Sequence, residues 1–362
     1  MGKSPYSTLP DHCFWRRANR GAKEGAVDPV VQAGFHITPD MKIATAGSCF
    51  AQHIARQLSK SGFNYFVAER AHPLIRAEVA RRMNYGTFSA RFGNLYTTRQ
   101  LWQLAQRAYG RFTPHEDAWE HEGGWLDPYR PNIQPGGFVT LEELHADRAQ
   151  HFAAVRTMLE ECDVFVFTFG LTEAWRSKVD GAVFPLCPGT AGGTFDPGRH
   201  EFVNFTVDEV VADFSAFTDF LLEVNPDVNI LMTVSPVPLM ATARADTSVI
   251  VSTAYSKAVL RVATEMLAAK YEEAFYFPSY EVITGNHAMG RYFEEDLREV
   301  HPAGVAHVMR LFMKHYCGIE TGAPRPLPAR DDDSGDAFAE KMAENIGVIC
   351  DEELLDQGES AG

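Results

Sequence analysis

The chain has 362 residues, 45% of them hydrophobic, and 33 basic against 48 acidic side chains give a formal net charge of −15. That composition excludes a disordered, collagen-like or disulfide-scaffold protein and leaves room for one large α/β domain or two ordinary ones. The negative surface argues against nucleic acid or anionic lipid as partner, and six scattered cysteines without a CxxC pair point to a reducing compartment rather than a zinc ribbon.

The N-terminus, MGKSPYSTLPDHCFW, has no apolar core of a signal peptide, and Tyr6 breaks the myristoylation pattern. No apolar run approaches the ~18 residues needed for a membrane span, so a cytoplasmic protein is expected. The first buried strand is predicted at 42–46 (KIATA), followed by a helix from about 51 to 60 and a weaker strand at 63–67. A stretch rich in Pro, Gly and Trp covers 113–137. A helix over 141–162 opens with Thr140 and Glu143, a capping box in which each side chain satisfies the other's backbone N–H. Strand 163–169 (DVFVFTF), the irregular 180–204, a second box-capped helix at 207–224 (Thr206, Glu209) and strand 228–234 follow. A helix at 253–270, a weaker strand at 274–277 and a helix at 303–316 complete the pattern. Residues 321–336 (TGAPRPLPARDDDSGD) have the composition of a linker, and 337–362 that of an acidic helix or tail. One domain over 1–320 is therefore expected. Strands alternating with helices predict a three-layer α/β/α sandwich with a mainly parallel sheet. No Asn-Gly turn announces an antiparallel hairpin.

The sharpest chemical feature is Gly47-Ser48-Cys49-Phe50-Ala51. Gly permits a sharp turn at a strand end, and a Ser there lies at the carboxyl edge of a parallel sheet, facing the N-terminus of the next helix. Free N–H groups and the helix dipole at that point stabilise a developing oxyanion. The plainer alternative is a helix cap. Cys49 is either a second candidate nucleophile or a small packed residue. Arg70, Arg76, Arg81, Arg82, Arg91 and Arg99 form a basic run, suited to a solvated face or to an anionic group of a substrate. Trp102, Trp125, Tyr129 and Trp175 are candidates for stacking on sugar rings or for the core. No HExxH, Walker A or GxGxxG pattern indicates a metal or nucleotide cofactor.

The GSCFA segment resembles the motif of the GSCFA family, which is similar to the SGNH (GDSL-like) hydrolases. Residues 167–175 (FTFGLTEAW), 233–239 (TVSPVPL), 255–261 (YSKAVLR) and 276–281 (YFPSYE) resemble further segments of that family, in order. The resemblance runs from about Phe14 to about Phe312. It implies a flavodoxin-like α/β/α fold and Ser48 as nucleophile. It also implies an oxyanion hole from the Ser48 N–H, a glycine N–H and an amide. Gly93 (beside Asn94) and Gly86 compete for the glycine. The third motif normally reads Gly-x-Asn-Asp; here Gly170-Leu171-Thr172-Glu173 stands there, so Thr172 or Asn94 must supply the remaining donor, with Glu173 alongside. His301, in a His-Pro pair, is the implied base, with His287 and His307 as rivals. The family's Asp stands three residues before its His, whereas here Arg298 occupies that position and Asp296 lies five before; Glu295 and Glu299 are the other acids in reach. The resemblance implies a serine esterase acting on an O-acylated, chiefly O-acetylated, glycan or small ester. A glycan O-acyltransferase using a donor such as acyl-CoA, or a non-catalytic binding protein on the same fold, are the alternatives.

Overall fold

The computed structural model describes residues 4–19, 25–320 and 351–355. They fall into two compact units, one drawn from 1–37 and 277–347, the other from 38–276 and 348–362. In chain order the elements are α1 (Trp15–Ala18), β1 (Ile43–Gly47), α2 (Ala51–Lys60), α3 (Ala77–Arg82), α4 (Thr98–Ala108), β2 (Trp119–His121), β3 (Gly124–Leu126), α5 (Leu141–Glu161), β4 (Val164–Phe169), β5 (Glu173–Ser177), β6 (Val183–Phe184) and β7 (His200–Asn204). Then come α6 (Val207–Val224), β8 (Asn229–Val234), α7 (Val249–Lys270), β9 (Ala274–Tyr276), α8 (Ser279–Thr284) and α9 (Pro302–Cys317). The linker and most of the acidic tail lie outside the described residues; Asp351–Leu355 forms a 3-10 turn.

The larger unit is built on a wholly parallel sheet in the order β1-β4-β8-β9, flanked by helices, as the alternation predicts. The weak strand expected at 63–67 survives as a single parallel bridge between Tyr65 and Ile43 on the free edge of β1. There the Ile43 N–H donates to Asn64 O at 3.0 Å, and the Phe66 N–H to Ile43 O at 2.8 Å. The chain thus steps from β1 outward to Tyr65, then back across β1 to β4, β8 and β9. That reversal creates a crevice at the carboxyl ends of β1 and β4.

Each residue of β1 and β4 is buried, which is why these strands read as unbroken apolar runs. Alternation along β4 sets Phe165, Phe167 and Phe169 on one face, against Phe214 and Phe217 of α6. Ring centroids are 5.3 Å apart for Phe165–Phe217 and 4.8 Å for Phe169–Phe214. α6 starts with the full Thr206–Glu209 capping box. At α5 only half of the box forms. The Thr140 side chain accepts from the Glu143 N–H, but the Glu143 carboxylate accepts from Val139 N–H instead.

The two irregular stretches are where expectation fails. Both contain antiparallel structure: the β2–β3 hairpin, and a small sheet in the order β6-β5-β7. The hairpin turns through Glu122 (φ 48°) and Gly123 (φ 82°), both left-handed as a two-residue turn requires. Glu at the first position hides it from a search for Asn-Gly. Among the described residues no helix is long and apolar enough to cross a membrane.

In the smaller unit α9 is anchored by His307, whose Nδ1 pairs with the Tyr292 hydroxyl at 2.7 Å and whose Nε2 donates to Val27 O at 2.8 Å. Phe277, Phe312 and Tyr316 pack together there, and Gly318 (φ 67°) ends the helix in the left-handed conformation.

Gly47 closes β1 with φ +127°, and a Cβ there would overlap the Thr168 carbonyl oxygen and lie 2.7 Å from the Thr168 nitrogen. Gly47→Ala is therefore expected to cost about 3 kcal/mol or more, from left-handed strain plus overlap with backbone that cannot yield. Urea unfolding measures this; an unchanged midpoint would contradict the close approach of β1 and β4.

Candidate active site

Gly47 hands the chain directly to Ser48. The Ser48 N–H donates to Thr168 O at 3.1 Å, extending the β1–β4 ladder by one bond. The Ser48 carbonyl then accepts from the Ala51 N–H at the start of α2. The side chain is 3% exposed, and its Oγ has no hydrogen-bond partner among the described residues. A buried hydroxyl left unpaired costs stability, so an ordinary helix cap does not explain it; the N-cap of α2 is Phe50, and the Ser48 hydroxyl makes no capping bond.

Two further segments meet this strand end. The Leu95 N–H donates to Gly47 O at 2.8 Å, which fixes 92–97 beside it. Gly170, at the end of β4, donates its N–H to Tyr96 O, and a Cβ on Gly170 would sit 3.0 Å from Ser48 Cβ. Gly93 is left-handed (φ +74°) and its N–H donates to no described residue. Gly86 also adopts positive φ, but in the separate turn begun by Asn84. Of the two glycines expected to compete, Gly93 is the one on the segment bonded to Gly47.

Motif 255–261 proves to be the brace of this corner. On α7 the Ser256 hydroxyl accepts from the Thr172 N–H at 3.0 Å, and Lys257 Nζ donates to Gly170 O at 2.7 Å. Neither residue was singled out by sequence as more than a family segment. The sequence carries no local signal for this, because the burial that obliges Ser256 and Lys257 to find partners is visible only in the structure.

A family model of the GSCFA family matches residues 42–312. The chain belongs to the GSCFA family. No curated protein matches it. Among the solved structures that match is one from Parabacteroides merdae, described provisionally as a GDSL-like lipase. Its identity is 13% and its TM-score 0.31, over 78% of this chain and 97% of that one.

Several family-derived roles meet obstacles in this GSCFA chain. The Ser48 N–H, expected in the oxyanion hole, is engaged by Thr168 O. The Thr172 hydroxyl donates to Asn204 Oδ1 at 2.6 Å, so its one proton is not directed at a substrate. Glu173 accepts from the Thr242 hydroxyl at 2.9 Å; burial pushes its carboxyl up against the lowering effect of that bond and of Arg244. Asn94 is buried. Its Oδ1 accepts from Gln52 Nε2, and its Nδ2 donates to Asp351 Oδ2 at 2.8 Å.

His301 is the N-cap of α9, where its Nδ1 accepts from the Ala303 N–H at 3.1 Å. In the neutral ring the proton is then on Nε2. Asp296 does not orient it: Asp296 Oδ1 accepts from the Arg298 and Glu299 N–H groups at 2.9 and 3.0 Å, closing its own turn. Among the acids of this loop, the Glu294 carboxyl is raised by burial and by the charges of Glu299, Asp296 and Glu295, against the lowering effect of the nearby His301. His287 Nε2 faces Val282 O at 3.0 Å and His307 is a core residue, so both rivals have structural partners.

The basic run is not one patch. Arg91 is fully buried, 2.7 Å from Asp147, and Arg99 pairs with Asp213 at 2.6 Å. The aromatics also pack: Tyr129 stacks on Phe184, Trp175 edges Phe195 and Trp102 tilts against Phe220, while Trp125 joins the Ile133 cluster. Among the described residues no group of three His, Cys, Asp or Glu could hold a metal. Cys49 is buried.

Beneath the site runs a buried ionic network missed by sequence reading. Arg91 and Arg130 share Asp147, Arg130 and Arg148 share Asp127, and Glu69 joins His151 at 2.7 Å and the Arg91 N–H at 2.6 Å. Burial alone would raise the Glu69 carboxyl. The bond and charge of His151, the charge of Arg130 and the Arg91 N–H outweigh it and hold the carboxyl at about 2. Glu69→Gln is expected to destabilise by about 3 kcal/mol at neutral pH, because it strands a buried charge partner. The wild-type advantage is complete above the ordinary glutamate value of 4.5 and is lost as pH falls through about 2. Unfolding midpoints of both proteins across that range measure it, and a constant gap would refute the assignment.

Proposed function

We propose that this chain is a serine hydrolase of the SGNH type that cleaves an acyl ester, with O-acylated, chiefly O-acetylated, glycans as the substrate class. One observation carries the proposal: Ser48 Oγ is buried without a partner at the carboxyl end of β1, where the sheet order reverses. In the proposed reaction Ser48 Oγ attacks the ester carbonyl carbon and its proton passes to a base. The carbonyl C=O electrons move onto oxygen, which the unengaged Gly93 N–H and the Asn94 amide would receive. Collapse expels the alcohol with that proton and leaves an acyl-serine, which water hydrolyses by the same steps.

His301 is assigned as base from the family's His-Pro pair. To accept a proton at Nε2 its Nδ1 must exchange the Ala303 N–H for an acceptor, a role we assign to Glu294, a carboxyl close enough to feel the His301 charge. Of the basic run 70–99 expected to suit an anionic donor, Arg91 and Arg99 are engaged in ion pairs while Arg70, Arg76, Arg81 and Arg82 are exposed, so acyl transfer stands as the second reading beside hydrolysis. Cytoplasmic location is part of the same proposal.

Labelling with a fluorophosphonate, followed by peptide mass spectrometry, tests the nucleophile. The adduct is expected on Ser48, absent in Ser48→Ala, and formed at least ~10³-fold more slowly in His301→Ala. Undiminished labelling of Ser48→Ala would overturn the assignment. Labelling of Cys49 instead would replace it.

A further inference from the structure

The cleft beside the candidate site is lined in part by residue 351 of this same chain. Asp351, from the C-terminal 3-10 turn, is enclosed with Asn84, Phe92, Gly93, Asn94 and Asn132. Its two carboxylate oxygens accept from Asn94 Nδ2 at 2.8 Å and Asn132 Nδ2 at 2.7 Å. The Asn94 backbone N–H adds a third bond, and the Asp351 N–H donates to the Tyr96 hydroxyl at 3.1 Å. Asp351 and Glu352 are 8% and 6% exposed, unusual for two adjacent acids in a terminal segment.

Nothing in sequence proximity requires this. The Asp351–Asn94 bond spans 257 residues. The cradle is also not a salt bridge. The nearby Arg130 is engaged by Asp127 and Asp147, so the carboxyl is bound by neutral amides. Burial therefore pushes the Asp351 carboxyl up, against the lowering effect of its hydrogen bonds to Asn132 and Asn94. Donors of this kind suit the oxygens of a carboxyl, or of an acyl group, whose C=O presents the same acceptor. The Asn94 amide that holds Asp351 is the amide the proposed reaction needs.

We propose that the acidic segment 351–355 is a cis ligand of the Asn94–Asn132 cradle and a self-inhibitor of the site, competing for Asn94 with the acyl oxygen of a substrate. The competition rests on the Ser48 assignment; the docking does not. Release of the segment frees the amide, and an acidic peptide of the form Asp-Glu-Glu-Leu-Leu is the ligand class the cradle accepts.

Three measurements on the full-length chain test it. Hydrogen exchange reads docking: the amides of 351–355 are expected to be protected at least about tenfold over an unstructured peptide in the wild type, and to lose that protection in Asp351→Ala, with β4 and β8 unchanged. Asn132→Ala, which leaves the segment itself intact, is expected to do the same. Fluorescence anisotropy reads the cradle: labelled Ac-Asp-Glu-Glu-Leu-Leu-NH₂ is expected to bind Asp351→Ala at least about tenfold more tightly than the same peptide with Ala for Asp, the loss of a charge-assisted bond. Fluorophosphonate labelling reads competition: Ser48 is expected to react at least about tenfold faster in Asp351→Ala, and the peptide to slow it again. Unprotected amides in the wild type, or equal binding of the two peptides, overturns the docking. Equal labelling rates in wild type and Asp351→Ala overturn the inhibition. Docking and peptide binding as expected, with Ser48 unreactive in all forms, would uphold the cradle and overturn the Ser48 assignment instead.

Discussion

Gly47 can lie against the backbone of Thr168 only because it has no side chain, and the position of Ser48 follows from that contact. With the last residue of β1 pressed to Thr168 of β4, the Ser48 N–H reaches Thr168 O and the chain has three residues, 48–50, in which to leave the sheet before α2 begins. Ser48 is thereby fixed at the point where the strand order reverses, the place at which open parallel sheets leave a crevice. Gly170 continues the same constraint from the other strand. Its missing Cβ leaves room for Ser48, and Lys257 and Ser256 hold its loop from α7. The corner is thus assembled from backbone contacts and two braces, with little dependence on which side chains later approach it.

The segment that faces this corner, 83–97, has almost no regular structure of its own and is held from below by charge. Arg91 is enclosed by Glu69, Asp147, the Met83 carbonyl and the Tyr85 ring. Arg130 repeats the arrangement on the 127–133 segment through Asp127 and the shared Asp147. Buried ion pairs are poor sources of net stability, but breaking one is costly, so such a network specifies geometry more than it strengthens the fold. Here the geometry specified is that of two asparagines, Asn94 three residues after Arg91 and Asn132 two after Arg130, whose amides converge on one carboxyl.

The parallel sheet was legible because its strands are buried on both faces and their sequences are continuous apolar runs. The capped helices were legible because Thr140 and Thr206 write their own starting points. The hairpin was not, since Glu122 occupies a left-handed position that Asn or Gly ordinarily marks. Ser48 was legible from Gly47 alone, as a turn at a strand end. The donors around it were not, because hydrogen-bond engagement is a property of pairs far apart in sequence: Ser48 with Thr168, Thr172 with Asn204, Asn94 with Asp351. Spacing misled at His301 for a local reason. Five residues separate it from Asp296, and the chain uses them to close a turn on the Asp296 carboxylate rather than to bring it to the imidazole.

The altered third motif acquires a physical meaning in this setting. An asparagine at position 172 would offer two amide protons; the threonine present offers one, and it is given to Asn204 at the end of β7. Position 172 has therefore become part of the join between the β4 loop and the small antiparallel sheet, with its N–H bound to Ser256 and its carbonyl accepting from Phe205. An amide is nonetheless present in the cleft, contributed by Asn94 from the opposite segment. A donor on that segment is held by the Arg91 network rather than by the sheet, and it lies within reach of the C-terminus. The amide that Asp351 binds is therefore the one on the segment held by the Arg91 network, while the hydroxyl of position 172 is committed to the sheet join.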